Sequence, residues 1–348
     1  MKRMMRTPIN CFYLFGMGNR RKMLYKEGKL IDALSGQVIQ EWKIISENIY
    51  PSEYRVVLEL INGKTTIIWE DEVGVWVKEN KKKTLLTEGH LRLPRFEENK
   101  YAPLLRILHH EILINIVNGK PLPNFFVYSK PWYRDAAMMC MCLNKTGNLH
   151  LVRRWILNLR EPFDRNNSGI CEPDNLGQAL YMISLVSNAS HPLVDAIRGI
   201  IPKFRKYNYI TGLTDFREHP VYQTKWLKFG LRKLGLNDSF QIPRVFDDYS
   251  ALFWMDYKEA HVPGPPFEEK VKKFYPYLAW AEAHFHGWPL PMEYSNTRYP
   301  LTWEAYASQA KYVGMALISQ EYVSQKICMP HAWHAAEMFL YLLEQGSE

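Results

Sequence analysis

The hydrophobic period of this 348-residue chain changes once, near residue 96, and that change limits the possible folds more than any other feature. Upstream of it, apolar residues come in short runs closed by turn signals: NCFYLFGMG, KMLYKEGKLIDAL, QVIQEWKII, YRVVLELINGKTTIIWE, GVWVKE and LRLP. Runs this short, rich in β-branched and aromatic side chains, read as strands, and the Ile61-Asn62-Gly63 turn predicts a hairpin. From about Tyr101 the apolar positions recur at helical spacing instead. Ten helices are predicted, over 101–119, 132–146, 149–160, 175–188, 191–204, 220–235, 247–257, 267–285, 302–320 and 330–345. Residues 1–96 are expected to form a small antiparallel β domain, and residues 97–348 a helical one.

The helices are of two kinds. LVRRWILNLR and HPLVDAIRGIIPKFRK each carry one polar face and should lie outside. AAMMCMCL and LGQALYMISLV carry almost none and should be enclosed. Alternation of the two kinds through short connections suggests antiparallel helical hairpins arranged as a double-layered ring. In such a ring the inner helices run parallel, so their N-termini open onto one end.

Charge and cysteine content exclude several classes. Of the net charge of +8, almost all sits in residues 1–30, where eight Lys and Arg face one acid, Glu27. The basic character is therefore local, no nucleic-acid-binding motif accompanies it, and no nucleic-acid partner is expected. Cys11, Cys140, Cys142, Cys171 and Cys328 are odd in number and irregular in spacing, which fits neither a disulfide framework nor a zinc site. Reduced thiols in the cytoplasm are expected. The start MKRMMRTPINCFYLFGMG lacks the cleavage site of a signal peptide, and no run is long enough to span a membrane.

Unusual residues gather where the enclosed helices should begin. Trp132, Tyr133, Arg134 and Asp135 open the first; Glu172, Asp174 and Asn175 precede the second; Asp215, Glu218, His219, Tyr222 and Trp226 surround the third. VFDDYSALFW, MEYSNTRYPLTWEAY and PHAWHAAE follow, bringing Trp303, His331 and Trp333. An acid such as Asp174 or Asp247 ahead of a helix is ordinary capping and favours the positive end of the helix dipole. Capping does not account for the Trp, Tyr and His beside the acids. Aromatics and carboxylates meeting at one mouth suit a sugar or glycan ligand. Arg134 and Asp135 then sit at the pocket floor, paired with each other and with ligand hydroxyls, or form a structural ion pair tying two loops. His331, His334 and Glu337, and likewise His109, His110 and Glu111, lack the H-E-x-x-H pattern, so neither a metal nor another cofactor is expected.

PWYRDAAMM, EPDNLGQAL and YPLTWEAYASQAKYVG resemble inner-helix starts of the six-hairpin glycosidase superfamily, which includes glucoamylase-like and unsaturated glucuronyl hydrolase-like enzymes. The resemblance covers residues 100–348 and implies a mainly α fold: an α/α toroid of the six-hairpin type after the small antiparallel β domain. Ten helices are predicted where the full ring has twelve. It further implies glycoside hydrolysis by two carboxyls, held about 6.5–9.5 Å apart in an inverting enzyme. The acid is expected near the middle of the ring, where Glu218 fits best and Asp215 is the reserve. The base is expected near the closing helices, at Glu293 ahead of Glu304. Alternatively, Asp135 and Asp174 form the working pair of an unsaturated uronyl hydrolase, with Arg134 or Arg298 meeting the substrate carboxylate. A non-catalytic glycan-binding or scaffold protein is the remaining reading. Trp132, Tyr133, Arg134, Glu172, Asp215, His219, Tyr222, Trp303, His331 and Trp333 are the expected ligand-binding residues.

Overall fold

The computed structural model describes residues 12–166, 169–247, 299–302 and 331–346, positions 266, 268, 283, 288 and 289, and the backbone of 304–305 and 327–328. Two antiparallel meanders come first. Strands β1 (Phe12–Phe15), β2 (Met23–Lys26), β3 (Lys29–Asp32) and β4 (Val38–Glu41) form one sheet in sequence order. Strands β5 (Ile44–Tyr50), β6 (Arg55–Leu60), β7 (Thr65–Glu70), β8 (Gly74–Glu79) and β9 (Lys82–Glu88) form the other. The expected hairpin is present: β6 pairs with β7 around Ile61, Asn62 and Gly63, with Glu59 opposite Thr65. Alternation along β6 and β7 sends Val56, Leu58, Thr66, Ile68 and Glu70 inward, the period of a sheet with one buried face.

Seven α-helices follow among the described residues: α1 (Ala102–Ile114), α2 (Tyr133–Lys145), α3 (Arg153–Leu157), α4 (Asp174–Ser184), α5 (Pro192–Ile200), α6 (Pro220–Lys233) and α7 (Ala332–Gln345). Helix α1 joins the two regions. His110 Nε2 meets the Leu14 carbonyl at 2.8 Å, and Gly18 N donates to the Leu113 carbonyl at 2.8 Å. On its other side α1 packs against α7, where the His109 and Phe339 rings lie 5.9 Å apart and Asn99 Nδ2 donates to the Leu342 carbonyl. Beyond α7 come α2, α4 and α6, each packed on the one before. The buried apolar residues of sheets and helices form one continuous cluster.

LHHEIL proves structural. His109 Nε2 meets Thr146 Oγ1 at 3.1 Å, and Glu111 accepts hydrogen bonds from the backbone of Leu301 and Thr302 and from the Thr302 hydroxyl. Burial holds both histidines down at about 3 and lifts Glu111 to about 8.

Helices α4 and α6 touch backbone to backbone at Gly177. A Cβ on Gly177 would lie 2.1 Å from the Trp226 carbonyl carbon, and one on Gly230 would lie 2.4 Å from the Gly177 oxygen. Neither neighbour is a side chain that could swing aside. Gly177→Ala is therefore expected to destabilise by about 1–3 kcal/mol or more through overpacking. A Tm within 1 °C or so of wild type, where about 2–4 °C per kcal/mol is normal for a chain this large, would contradict that packing.

The expected mainly α architecture is overturned. The chain is a mixed α/β structure with substantial antiparallel sheet, not an α/α toroid of the six-hairpin type. Two-residue ribbons form where plain loops are expected, Arg205–Lys206 with Tyr209–Ile210 and Leu213–Thr214 with Arg217–Glu218. They also form where helix is expected, at Ile116–Val117 in 101–119, paired with Lys120–Pro121, and at Glu304–Ala305 in 302–320, paired with Ile327–Cys328. The two polar-faced segments do not form full helices either. Residues 149–160 break into a 3-10 turn and the five-residue α3, and 191–204 into α5 and a second 3-10 turn that opens at Ile201 and Pro202. Proline lacks the N–H that would continue α5. Most of the predicted helices 247–257, 267–285 and 302–320 lies outside the described residues. No helix among the described residues is long and apolar enough to cross a membrane.

Candidate functional site

The N-terminal ends of α2, α4, α6 and α7 come together, and Arg134 stands among them. It lies in the first turn of α2, after an extended Trp132 whose side chain makes no capping bond. Asp164 performs the capping instead: its Oδ2 accepts from Tyr133 N at 2.5 Å and its Oδ1 from Asn166 N at 2.8 Å. The Tyr133 hydroxyl donates to the Glu161 carbonyl at 2.7 Å, so this loop and the start of α2 hold each other.

From that anchor the guanidinium of Arg134 reaches three carboxylates. Nη1 lies 3.5 Å from Glu172 Oε2 and 3.9 Å from Asp174 Oδ2, and Nη2 lies 3.2 Å from Asp215 Oδ2. Two indoles flank the cation, with Trp333 centred 5.1 Å away and Trp132 5.8 Å away. Asp174 does not cap α4. Its oxygens accept from Thr214 Oγ1 at 2.6 Å and Gln178 Nε2 at 2.9 Å. Glu172 Oε1 accepts from Asp215 N at 3.0 Å. Behind Trp333, the Glu337 carboxyl accepts from its indole N–H at 2.9 Å, and His331 Nε2 stands 3.8 Å from Asp135 Oδ1.

One guanidinium among this many acids leaves protons behind. Burial raises Glu172 to about 7, with Asp174 pushing the same way and Arg134 opposing. Burial also raises Asp174 and Asp164, against the pull of Arg134, and places Glu337 well above the carboxylate range. Burial, helped by Arg134, lowers His331 to about 3, so it is neutral at physiological pH. The buried oxygen Glu337 Oε2 and nitrogen Trp132 Nε1 have no hydrogen-bond partner among the described residues.

The edge of the cluster opens at Asp215, whose side chain is 41% exposed while that of Arg134 is 4% exposed. Asp215 and Phe216 are the two loop residues between Leu213–Thr214 and Arg217–Glu218, and both have positive φ, 46° and 68°. That is the requirement of a type I′ turn, usually met by Asn or Gly. Aspartate tolerates the left-handed region; a phenyl-bearing residue there costs about 1–2 kcal/mol.

Of the residues expected at the site, Trp132, Tyr133, Arg134, Asp135, Glu172, Asp174, Asp215, His331 and Trp333 gather here. His219 and Tyr222 lie beside them on α6. His219 Nδ1 meets Asp247 Oδ1 at 2.8 Å, and Asp247 Oδ2 accepts from Val221 N and Tyr222 N, capping α6 from a distant loop. Glu218 is exposed on its ribbon and lacks the buried setting expected of a raised acid. Glu304 stands in a two-residue strand opposite Cys328, not on the first turn of a helix. Glu293, Arg298 and Trp303 lie outside the described residues. Asp164 was missed, although an Asp ahead of the Asn166-Asn167 loop is a recognisable turn signal. Asp174 is fully buried and accepts from Thr214 and Gln178, and Arg134 reaches three carboxylates. Among the described residues no group of three or more His, Cys, Asp or Glu could hold a metal ion.

No family model, curated protein or solved structure gives a match to this chain.

Proposed function

We propose that this protein is a carbohydrate-active enzyme that hydrolyses an O-glycosyl bond at the Arg134 cluster, with Glu172 as proton donor. One observation carries the reading: carboxylates and two indoles converge on Arg134 at a cluster open at Asp215, where burial raises Glu172, held by Arg134 and the Asp215 amide, to about 7. A general acid works best near the operating pH. As the glycosidic bond breaks, Glu172 protonates the leaving oxygen while water adds to the anomeric carbon. In this mechanism Asp215, at the open edge, takes the proton of that water. Trp132 and Trp333 supply apolar faces, and Arg134 fixes the acids. A cytoplasmic protein of this kind would act on short oligosaccharides.

The test is a binding and turnover screen over a panel of oligosaccharides with wild-type protein and Glu172→Gln. Turnover is expected to fall about 10²–10⁴-fold in the variant while binding persists. Unchanged turnover in the variant, or no sugar bound by wild type, would overturn the reading. The same variant checks the acidity. Because the folded-state value of Glu172 lies above its ordinary 4.5, its contribution to stability is complete below that value and is lost as pH rises through about 7. Wild type should therefore lose on the order of 3 kcal/mol relative to Glu172→Gln between pH 4.5 and pH 8, read from urea denaturation.

A further inference from the structure

We infer that the ring of Phe216 is a stacking platform for the sugar bound at the Arg134 cluster, and that it sets affinity without taking part in bond cleavage. This rests on the carbohydrate reading above. The Phe216 ring is 72% exposed, and Leu213 beside it is 47% exposed. Neither side chain contributes to the core, yet their hairpin is fixed from beneath. Thr214 donates to Asp174, the Asp215 amide to Glu172, and the Asp215 carboxylate pairs with Arg134.

The turn thus holds a large aromatic at φ 68° with no packing gained in return. Glycine or asparagine would satisfy the backbone more easily, and an aromatic exposed at this position offers an apolar face to a ligand. Phe216 follows Asp215, the open edge of the cluster, in the same two-residue turn. Behind Trp333, the buried Glu337 oxygen that lacks a hydrogen bond among the described residues is a second sign that the cluster is completed by a ligand. A sugar ring has one apolar C–H face and an equatorial rim of hydroxyls. An aromatic beside a carboxylate and an arginine matches both. A nucleobase would stack equally well, but the acids at the edge repel its phosphates.

The experiment compares wild type, Phe216→Ala, Phe216→Trp and Phe216→Gly in sugar affinity, kcat, KM and Tm. Phe216→Ala should weaken binding about tenfold, raising KM with kcat within about twofold, and Phe216→Trp should restore it. Phe216→Gly should bind as weakly as Phe216→Ala while its Tm rises, because glycine relaxes the turn. A residue with only a structural role would lower Tm and affinity together. Wild type binding a sugar that all variants bind equally well would overturn the stacking inference alone. A wild type that binds no sugar would overturn the carbohydrate reading and this inference with it.

Discussion

Arg134→Met is expected to remove about 3–5 kcal/mol of folding stability at pH 8 and to abolish sugar binding. The methionine fills much of the space between Trp132 and Trp333 but leaves Glu172, Asp174 and Asp215 without the cation that reaches all three. Burial already disfavours the charged forms of Glu172 and Asp174, so the variant should relieve the clash by taking up protons. Its deficit should accordingly shrink as pH falls from 8 towards 5. Adding Glu172→Gln and Asp174→Asn to Arg134→Met should recover part of the loss, whereas Arg134→Lys should not restore function, because an ammonium cannot span three carboxylates. Urea denaturation at both pH values measures this, and a pH-independent deficit below 1 kcal/mol would show that the cluster does not need its cation.

Glu70→Ala should cost a similar amount, about 3–5 kcal/mol, at a place remote from the chemistry. Glu70 is buried under the first sheet, where it accepts from Gly16 N at 2.9 Å and Met17 N at 2.7 Å and pairs with Arg20 Nη1 at 2.8 Å. Lys22 nearby is held by the Gly16 and Gly18 carbonyls, and burial lowers it to about 7 despite the pull of Glu70. Without Glu70, Lys22 can shed its proton, but a guanidinium cannot, so Arg20 is left buried and charged. The Arg20→Met, Glu70→Met double variant should therefore be more stable than Glu70→Ala. Additive losses would mean the two groups act separately. Sugar binding should survive in every variant that folds.

Much of this was readable before any coordinates. The starts of α2, α6 and α7 fall within two residues of their expected positions because Trp132, His219 and His331 stand just ahead of unbroken apolar periods. Charged residues at several helix starts are legible in the sequence, but their convergence was expected only on the basis of the ring. The partner expected for Arg134 was Asp135, not the Glu172, Asp174 and Asp215 that its guanidinium reaches. The ring was misread for a physical reason. Helical periodicity reports which face is buried; it is blind to a connection that folds back on itself. Asn118-Gly119, with φ of 50° and 72°, is a strong hairpin signal, but it lies at the end of the expected helix 101–119 and only two residues pair on each side. Tyr207 and Asn208 close another ribbon with no such signal. The exposure of Glu218 was equally hidden, since a two-residue strand has no alternation from which an inward face can be read. Asp164 enters the cluster through backbone capping, which leaves only a turn signal, whereas Glu337 enters through an indole hydrogen bond from Trp333, four residues before it on α7, a spacing the sequence shows.

The pairing of α1 with α7 has a consequence for synthesis. Asn99 grips a carbonyl 243 residues further along. At roughly 5–20 residues per second, the helix that covers the His109 side of α1 leaves the ribosome about 12–50 s after α1 does. During that interval the nascent chain carries an apolar surface whose cover is still untranslated. Slowing translation upstream of residue 332 would lengthen the exposure, and a holding chaperone would shorten its effect. Yield in a host cell is then expected to depend on elongation rate and chaperone supply as well as on the final stability of the fold.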